Sequence, residues 1–308
     1  MPPEEVLQKS GFIDLHQDML LGVARLEGGF PDYSPMYLTG SSRVATVFSS
    51  LFPHGVSANL IGELEAHDAL LESHPAALRL ITTVDDLLVE DSRVGVLPHS
   101  EGFELPGVEP EMLAHLWADH SLRSLALTWN HETPYAFSCY DDGGASLKPA
   151  GRELLRTLER SPILLDLAHL NDAGFHEALD AYAPPVLISH TFCRSIVDHP
   201  RGLDDDQLRA TRAHGGLVGL AFVPEFLGER GSVDEVLRHI DKVATLAGER
   251  AVSIGTDWGV ADMGELSSAQ SLLGLVEAVA GAFGSELAER FAFGNAHDFL
   301  CAQLPIAS

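Results

Sequence analysis

The stretch GLVGLAFVPEFLGERGSVDEVLRHIDKVATLAGERAVSIGTDW, residues 216–258, reads as strand, helix, strand. Its outer parts, GLVGLAFV and AVSIGTDW, are short apolar runs that continue without alternation, as strands buried on both faces do. Between them SVDEVLRHIDKVATLAG has helical periodicity. It opens on Ser232 with Asp234 and Glu235 just behind, and it stops at Gly248, so both ends carry the residues that helix termini favour. The unit predicted is a parallel strand pair joined by a helix.

The same alternation extends outward along the chain. FIDLHQ (12–17), RVATVFSSLF (43–52), VGVLPHS (94–100), LRSLALTWN (122–130), ILLDLAH (163–169) and PVLISHT (185–191) are further candidate strands, which makes eight in all. Helical stretches lie between them, for example ANLIGELEAHDALLESH (58–74) after the second. Eight buried parallel strands with intervening helices predict a closed (β/α)8 barrel, the TIM barrel of the α/β class. The 308 residues are 45% hydrophobic, enough for a large core, and no repeat, low-complexity tract or linker divides them. One domain, 1–308, is expected.

A formal charge of -26 with 19 basic residues argues against nucleic acid or an anionic membrane surface as partner, since both would repel it. Three cysteines, Cys139, Cys193 and Cys301, show no CxxC spacing, which suggests reduced thiols and no disulfide framework. The start MPPEEVLQKS is acidic and polar where a secretory signal would be basic and then apolar. No apolar run reaches the roughly 18 residues of a membrane span. A soluble, cytoplasmic protein is expected.

In a parallel barrel the active site gathers at the carboxyl ends of the strands. Those ends offer His16 and Asp18 on the first strand, Glu101 after the third, and Trp129, Asn130 and His131 on the fourth. His169, His190 and Asp257 end the fifth, sixth and eighth. A lone histidine at a strand end is usually an ordinary polar residue. Two features outweigh that here: the His-x-Asp of DLHQD puts two donors on one face, and a barrel brings all these ends into one bowl, where imidazoles and carboxylates suit a divalent ion such as zinc. His99, two residues before Glu101, competes as a ligand. Nine other histidines, His54, His67, His74, His115, His120, His176, His214, His239 and His297, fall in helices or loops and receive no role.

These residues resemble the membrane (renal) dipeptidase family of zinc metallopeptidases, in the amidohydrolase-like superfamily. The resemblance runs through DLHQD, SEG, LTWNHETPYA, LDLAHL, PVLISHTFCRSIVDHPRGLDDDQLRA and VSIGTDWG, and is most specific from Pro185 to Ala210. It implies two zinc ions per chain: His16 and Asp18 on one, His169 and His190 on the other, and Glu101 shared. It further implies that Arg201 grips the substrate's terminal carboxylate, that Asp257 is the acid/base carboxylate, and, since dimers are common in the family, a homodimer. The chain departs from the pattern at Trp129, where many members have a histidine that polarises the scissile carbonyl. His131, two residues on, is the candidate replacement, and Trp129 and His131 are both expected to meet substrate. Val223 stands where the mammalian enzymes have a tyrosine.

The function implied is hydrolysis of a dipeptide or similar small amide with a free carboxylate. A hydroxide bridging the two metals would attack the carbonyl, and Asp257 would pass the proton to the leaving amine. The nearest rivals are N-acyl amino acids or another small amide, then a cyclic amide or an ester. From a different class comes a catalytically idle barrel that binds a small ligand.

Overall fold

Nine parallel strands form the sheet: β1 (Phe12–Gln17), β2 (Val44–Leu51), β3 (Leu78–Leu80), β4 (Val94–Ser100), β5 (Ser124–Ala126), β6 (Leu164–Asp166), β7 (Leu187–Thr191), β8 (Leu217–Leu220) and β9 (Val252–Ile254). They belong to a computed structural model that describes residues 11–19, 44–52, 60–105, 110–141, 145–228 and 230–307. The segment 1–10 and His54, both considered above, lie outside the described residues. Neighbour follows neighbour in the order β2-β1-β9-β8-β7-β6-β5-β4, and β2 pairs with β4 from Thr46↔Gly95 to Leu51↔Ser100, so eight strands close into a barrel.

The ninth strand, β3, was not expected from the sequence. It is three residues long and pairs with the first half of β4, from Leu78↔Val94 to Leu80↔Val96. β5 joins β4 only at His99 and Ser100, so β3 covers the stretch of that edge that β5 does not reach. A strand this short has no periodicity to read.

The other eight fall within the expected runs, but several end early. LRSLALTWN keeps only Ser124–Ala126 in the sheet, ILLDLAH only Leu164–Asp166, and AVSIGTDW only Val252–Ile254. The chain leaves extended geometry just where the site residues follow. His169 and Asp257 have φ of 65° and 62°, left-handed values that a non-glycine residue adopts at a cost.

Helices pack around the barrel as the βα pattern requires. Leu60–Ser73 and Val233–Leu246 match the two stretches singled out above. The second is capped by Glu235, whose carboxylate accepts the Ser232 N–H at 2.9 Å, and it ends before Gly248, at φ 102°. The amino-terminal end of the barrel is plugged with apolar side chains. Leu164, Leu187 and Leu217, each the first residue of its strand, cluster with Ile13, Leu15, Phe48 and Leu97 and with Ala296, Leu300 and Leu304 from helix Asn295–Gln303 and its end. That end is filled by buried apolar side chains, which leaves the opposite end for chemistry. No helix among the described residues is long and apolar enough to cross a membrane, and all three cysteines are free thiols.

Candidate metal centre

At the carboxyl end of the barrel the buried polar residues converge on Glu101. One carboxylate oxygen, Oε2, lies 3.7 Å from His16 Nε2 and accepts from Ser50 Oγ at 3.2 Å. The other, Oε1, lies 2.9 Å from His169 Nε2 and 3.3 Å from His190 Nε2. His16 Nε2 is also 3.7 Å from Asp18 Oδ1 and 3.8 Å from Asp257 Oδ1. Glu101 thus turns one oxygen to the β1 residues and the other to the two later histidines.

Three sets of donors could each hold a cation: His16 with Asp18 and Glu101, Glu101 with His169 and His190, and His16 with His190 and Asp257. The atoms of each set lie within 4.8 Å of one another. Electrostatics favours filling them. Asp18, Glu101 and Asp257 are all buried, with Arg201 as the guanidinium lining the same cavity. Buried carboxylates need pairing, and the strain shows in their acidity. Burial, then Asp18 and Asp257, push Glu101 well above the usual carboxylate range. Burial likewise raises Asp257 to about 6, against the pull of Arg201 and with a push from Asp14. The imidazoles of His16 and His190 are held neutral, well below their ordinary range, chiefly by burial. Among the described residues neither ring nitrogen of His16 has a hydrogen-bond partner. Neutral imidazoles and carboxylates are the donor set that zinc takes.

The candidate ligands are oriented from outside. Asn130 Oδ1 stands 2.9 Å from His169 Nδ1, so that nitrogen donates and Nε2 keeps its lone pair for the centre. Ser189 Oγ meets His190 Nδ1 at 2.9 Å. Behind β1, Asp14 accepts from the His16 N–H at 3.2 Å, from Gln17 Nε2 at 2.6 Å, and from Thr256 N and Oγ1 at 2.8 and 2.7 Å. Asp14 therefore ties β1 to β9, where the ladder itself supplies only the pair Asp14↔Ile254. Between β7, β8 and β9, a Cβ at Gly219 or at Gly255 would fall 1.9 Å from the Ser189 carbonyl oxygen, so only glycine leaves β7 room just before His190.

Arg201 reaches the bowl because the chain after β7 folds back on itself. Leu203 N–H donates to the Phe192 carbonyl and Arg194 N–H to that of Leu203, both at 2.8 Å. Arg201, 4% exposed, then donates from Nη2 to the His190 carbonyl at 3.0 Å. Arg194 braces the loop with two 2.7 Å bonds to Asp172, and Asp204 with Gln207 forms a capping box on helix Asp205–His214. These contacts account for the specific stretch from Pro185 to Ala210.

The structure brings together His16, Asp18, Glu101, His169, His190, Arg201, Asp257 and Trp129 around one cavity of about 300 Å³. It does not bring His131 there. The His131 ring is 43% exposed, and its Nε2 meets Glu104 Oε1 at 2.5 Å; the next residue of LTWNH inward, Asn130, lines the cavity instead. His99 stays beneath the site, with Nδ1 3.0 Å from Ser124 Oγ and Nε2 3.4 Å from Asp166 Oδ2, and belongs to none of the three donor sets. Sequence reasoning missed Asp14 and the orienting role of Asn130. Asp14 is the first letter of DLHQD, and an acid inside an apolar strand was the signal.

Residues 4–296 match the family model for membrane dipeptidases, peptidase family M19. An uncharacterized dipeptidase of Schizosaccharomyces pombe is 30% identical over 169 residues, 53% of this chain and 41% of that protein. The dipeptidase verJ of Clonostachys rogersoniana is 25% identical over 201 residues, 64% of this chain and 52% of that protein. The matches therefore span only about half the length of these relatives. Among solved structures, a metallo peptidase from Rhodobacter sphaeroides, liganded with a phosphinate mimic of the dipeptide L-Ala-D-Ala, superposes with a TM-score of 0.81 at 22% identity, covering 96% of this chain and 99% of that one. An amidohydrolase from Pseudomonas aeruginosa gives 0.82 at 18% identity over 99% of both chains. At these identities the likeness is one of fold.

Proposed function

The chain belongs to the membrane dipeptidase family, and from that premise we propose that it is a two-zinc hydrolase, one domain over 1–308, that cleaves the amide bond of dipeptides or similar small substrates with a free carboxylate. The observation that carries this reading is the split of Glu101, whose two oxygens face two different groups of donors. His16 and Asp18 would hold one ion, His169 and His190 the other, with Glu101 between. When bound, such a pair supplies hydroxide near neutral pH and polarises a carbonyl.

The chain's own residues do the rest. Arg201 pairs with the substrate carboxylate, a match for its planar fork, and so sets the distance from that end to Glu101. Asp257 takes the proton from the attacking water and delivers it to the leaving nitrogen, because an amine leaves poorly until protonated. Burial raises its carboxyl above the ordinary range, the direction that helps it hold a proton between the two steps. Trp129 occupies the place of the family's usual histidine, so this chain offers no imidazole there to polarise the carbonyl.

The test is turnover by zinc-restored protein of a panel of dipeptides, with the C-terminal residue in both L and D forms, beside N-acyl amino acids. Hydrolysis of dipeptides is expected, with KM raised at least tenfold by Arg201→Ala. Hydrolysis of N-acyl amino acids alone would shift the assignment to that substrate class. Loss of all turnover with zinc bound would favour a barrel that only binds ligand.

A further inference from the structure

We propose that Phe52 and Trp129 form the subsite for the acyl half of the substrate, the half whose carbonyl is attacked, and that this subsite selects a large apolar or aromatic side chain. The inference rests on the reading above that Arg201 takes the carboxylate. Phe52 follows β2 and Trp129 follows β5; their rings meet edge to face, with centroids 4.3 Å apart and planes at 80°. Both side chains are half-buried and line the same cavity as Glu101 and Arg201.

Barrel order decides which half of the substrate they meet. In the closed ring β2-β1-β9-β8-β7-β6-β5-β4, four steps separate β2 from β7 in either direction, so the two strands face each other across the barrel. Arg201 is tied to the end of β7 through the His190 carbonyl. Glu101, from β4, and His169, from β6, lie between. A substrate held by its carboxylate at Arg201 and laid over Glu101 therefore points its acyl end at Phe52, with Trp129 flanking it. Val223 and Phe226 line the cavity from beyond β8, on the Arg201 side, and would meet the other half.

The chemistry of this wall is apolar. Two aromatic faces gain by covering hydrocarbon or another ring and offer no group that could ion-pair with a charged side chain. His131, the one imidazole nearby in sequence, is turned to Glu104.

The experiment is calorimetric titration of the zinc-loaded protein with two phosphinate dipeptide mimics that share an alanine carboxyl half and carry either a benzyl or a methyl group on the acyl side. The benzyl mimic is expected to bind at least tenfold tighter than the methyl one. Trp129→Ala is expected to cut that ratio at least fivefold, and Phe52→Ala, a second variant in case the first does not fold, to reduce it as well. Val223→Ala, on the other wall, is expected to shift both mimics by the same factor. A wild-type ratio of one or less, a ratio unchanged in folded Trp129→Ala and Phe52→Ala, or no binding of either mimic would overturn the proposal. Turnover is a separate readout: dipeptide hydrolysis with a ratio of one removes the subsite alone, and a high ratio without hydrolysis removes the reaction alone.

Discussion

The Nε2 atoms of His169 and His190 stand 3.0 Å apart, and both face Oε1 of Glu101. Where both nitrogens present lone pairs they repel at this distance, and a cation held between them would remove that cost. Zinc removal is therefore expected to destabilise the fold. Dialysis against a chelator should lower Tm, and zinc at about a thousandfold over Kd should restore roughly 4 kcal/mol. Elemental analysis should find about two ions per chain, the number of closed donor pairs that bridging by one carboxylate allows. A Tm indifferent to chelation would sink the metal assignment.

Asn130 is expected to act on the metal without touching it. Its amide oxygen fixes the tautomer of His169, and removing such an outer partner typically weakens metal affinity 10- to 100-fold. Asn130→Ala should show that loss in competition with a chromophoric chelator, and Asn130→Asp, which keeps the acceptor, should recover most of it. Equal affinity in all three proteins would mean the ring is held by its neighbours alone.

Gly255→Ala is expected to be costly although no catalytic group is changed. The new methyl would lie 1.9 Å from the Ser189 carbonyl oxygen, so β7 must shift, and His190 with it. Overpacking of this kind typically costs about 1–3 kcal/mol. Urea unfolding should show the lost stability, and zinc titration should show weakened binding in the same variant. Stability lost with zinc affinity intact would separate strand packing from ligand placement.

Acid sensitivity is expected from His239, on helix Val233–Leu246. Its ring accepts the Cys193 N–H at Nδ1, at 3.0 Å, and donates from Nε2 to the Leu227 carbonyl at 3.1 Å, an arrangement that only the neutral form can make. Burial, the main cause, lowers it to about 4 in the fold, and the unfolded chain titrates it near the ordinary imidazole value of about 6.5. Between those values the unfolded state binds a proton that the native state refuses, so stability is flat above about pH 6.5 and falls toward pH 4, by roughly 3 kcal/mol at most. His239→Gln can make both hydrogen bonds without titrating. Its unfolding free energy should vary less with pH over this window, and a slope equal to that of the parent would refute the assignment.

Much of this site was legible because strand ends are easy to find and a barrel gathers them. His16, Asp18, Glu101, His169, His190 and Asp257 all follow apolar runs, and the fold class alone places them in one bowl. Direction was not legible. Trp129, Asn130 and His131 follow one another beyond β5, where extended alternation no longer holds, and so the sequence could not tell that Asn130 would turn inward and His131 outward to Glu104. Close approaches were equally hidden. Nothing in GLVGL or SIGTD announces that Gly219 and Gly255 leave room for a carbonyl from another strand.

Asp14 and Thr256 are 242 residues apart in the chain, yet they stitch β1 to β9 beside His16 and Asp257. During synthesis the first strand emerges with two of the proposed metal donors, and the partner that locks its geometry arrives only after four-fifths of the chain has been made. Until β9 leaves the ribosome the ring stays open at this seam, and His16 and Asp18 have no fixed place from which to meet Glu101. If zinc binds as proposed, the His16–Asp18 position would be completed only at the end of folding, so a nascent chain halted before residue 257 should hold fewer zinc ions than the full chain.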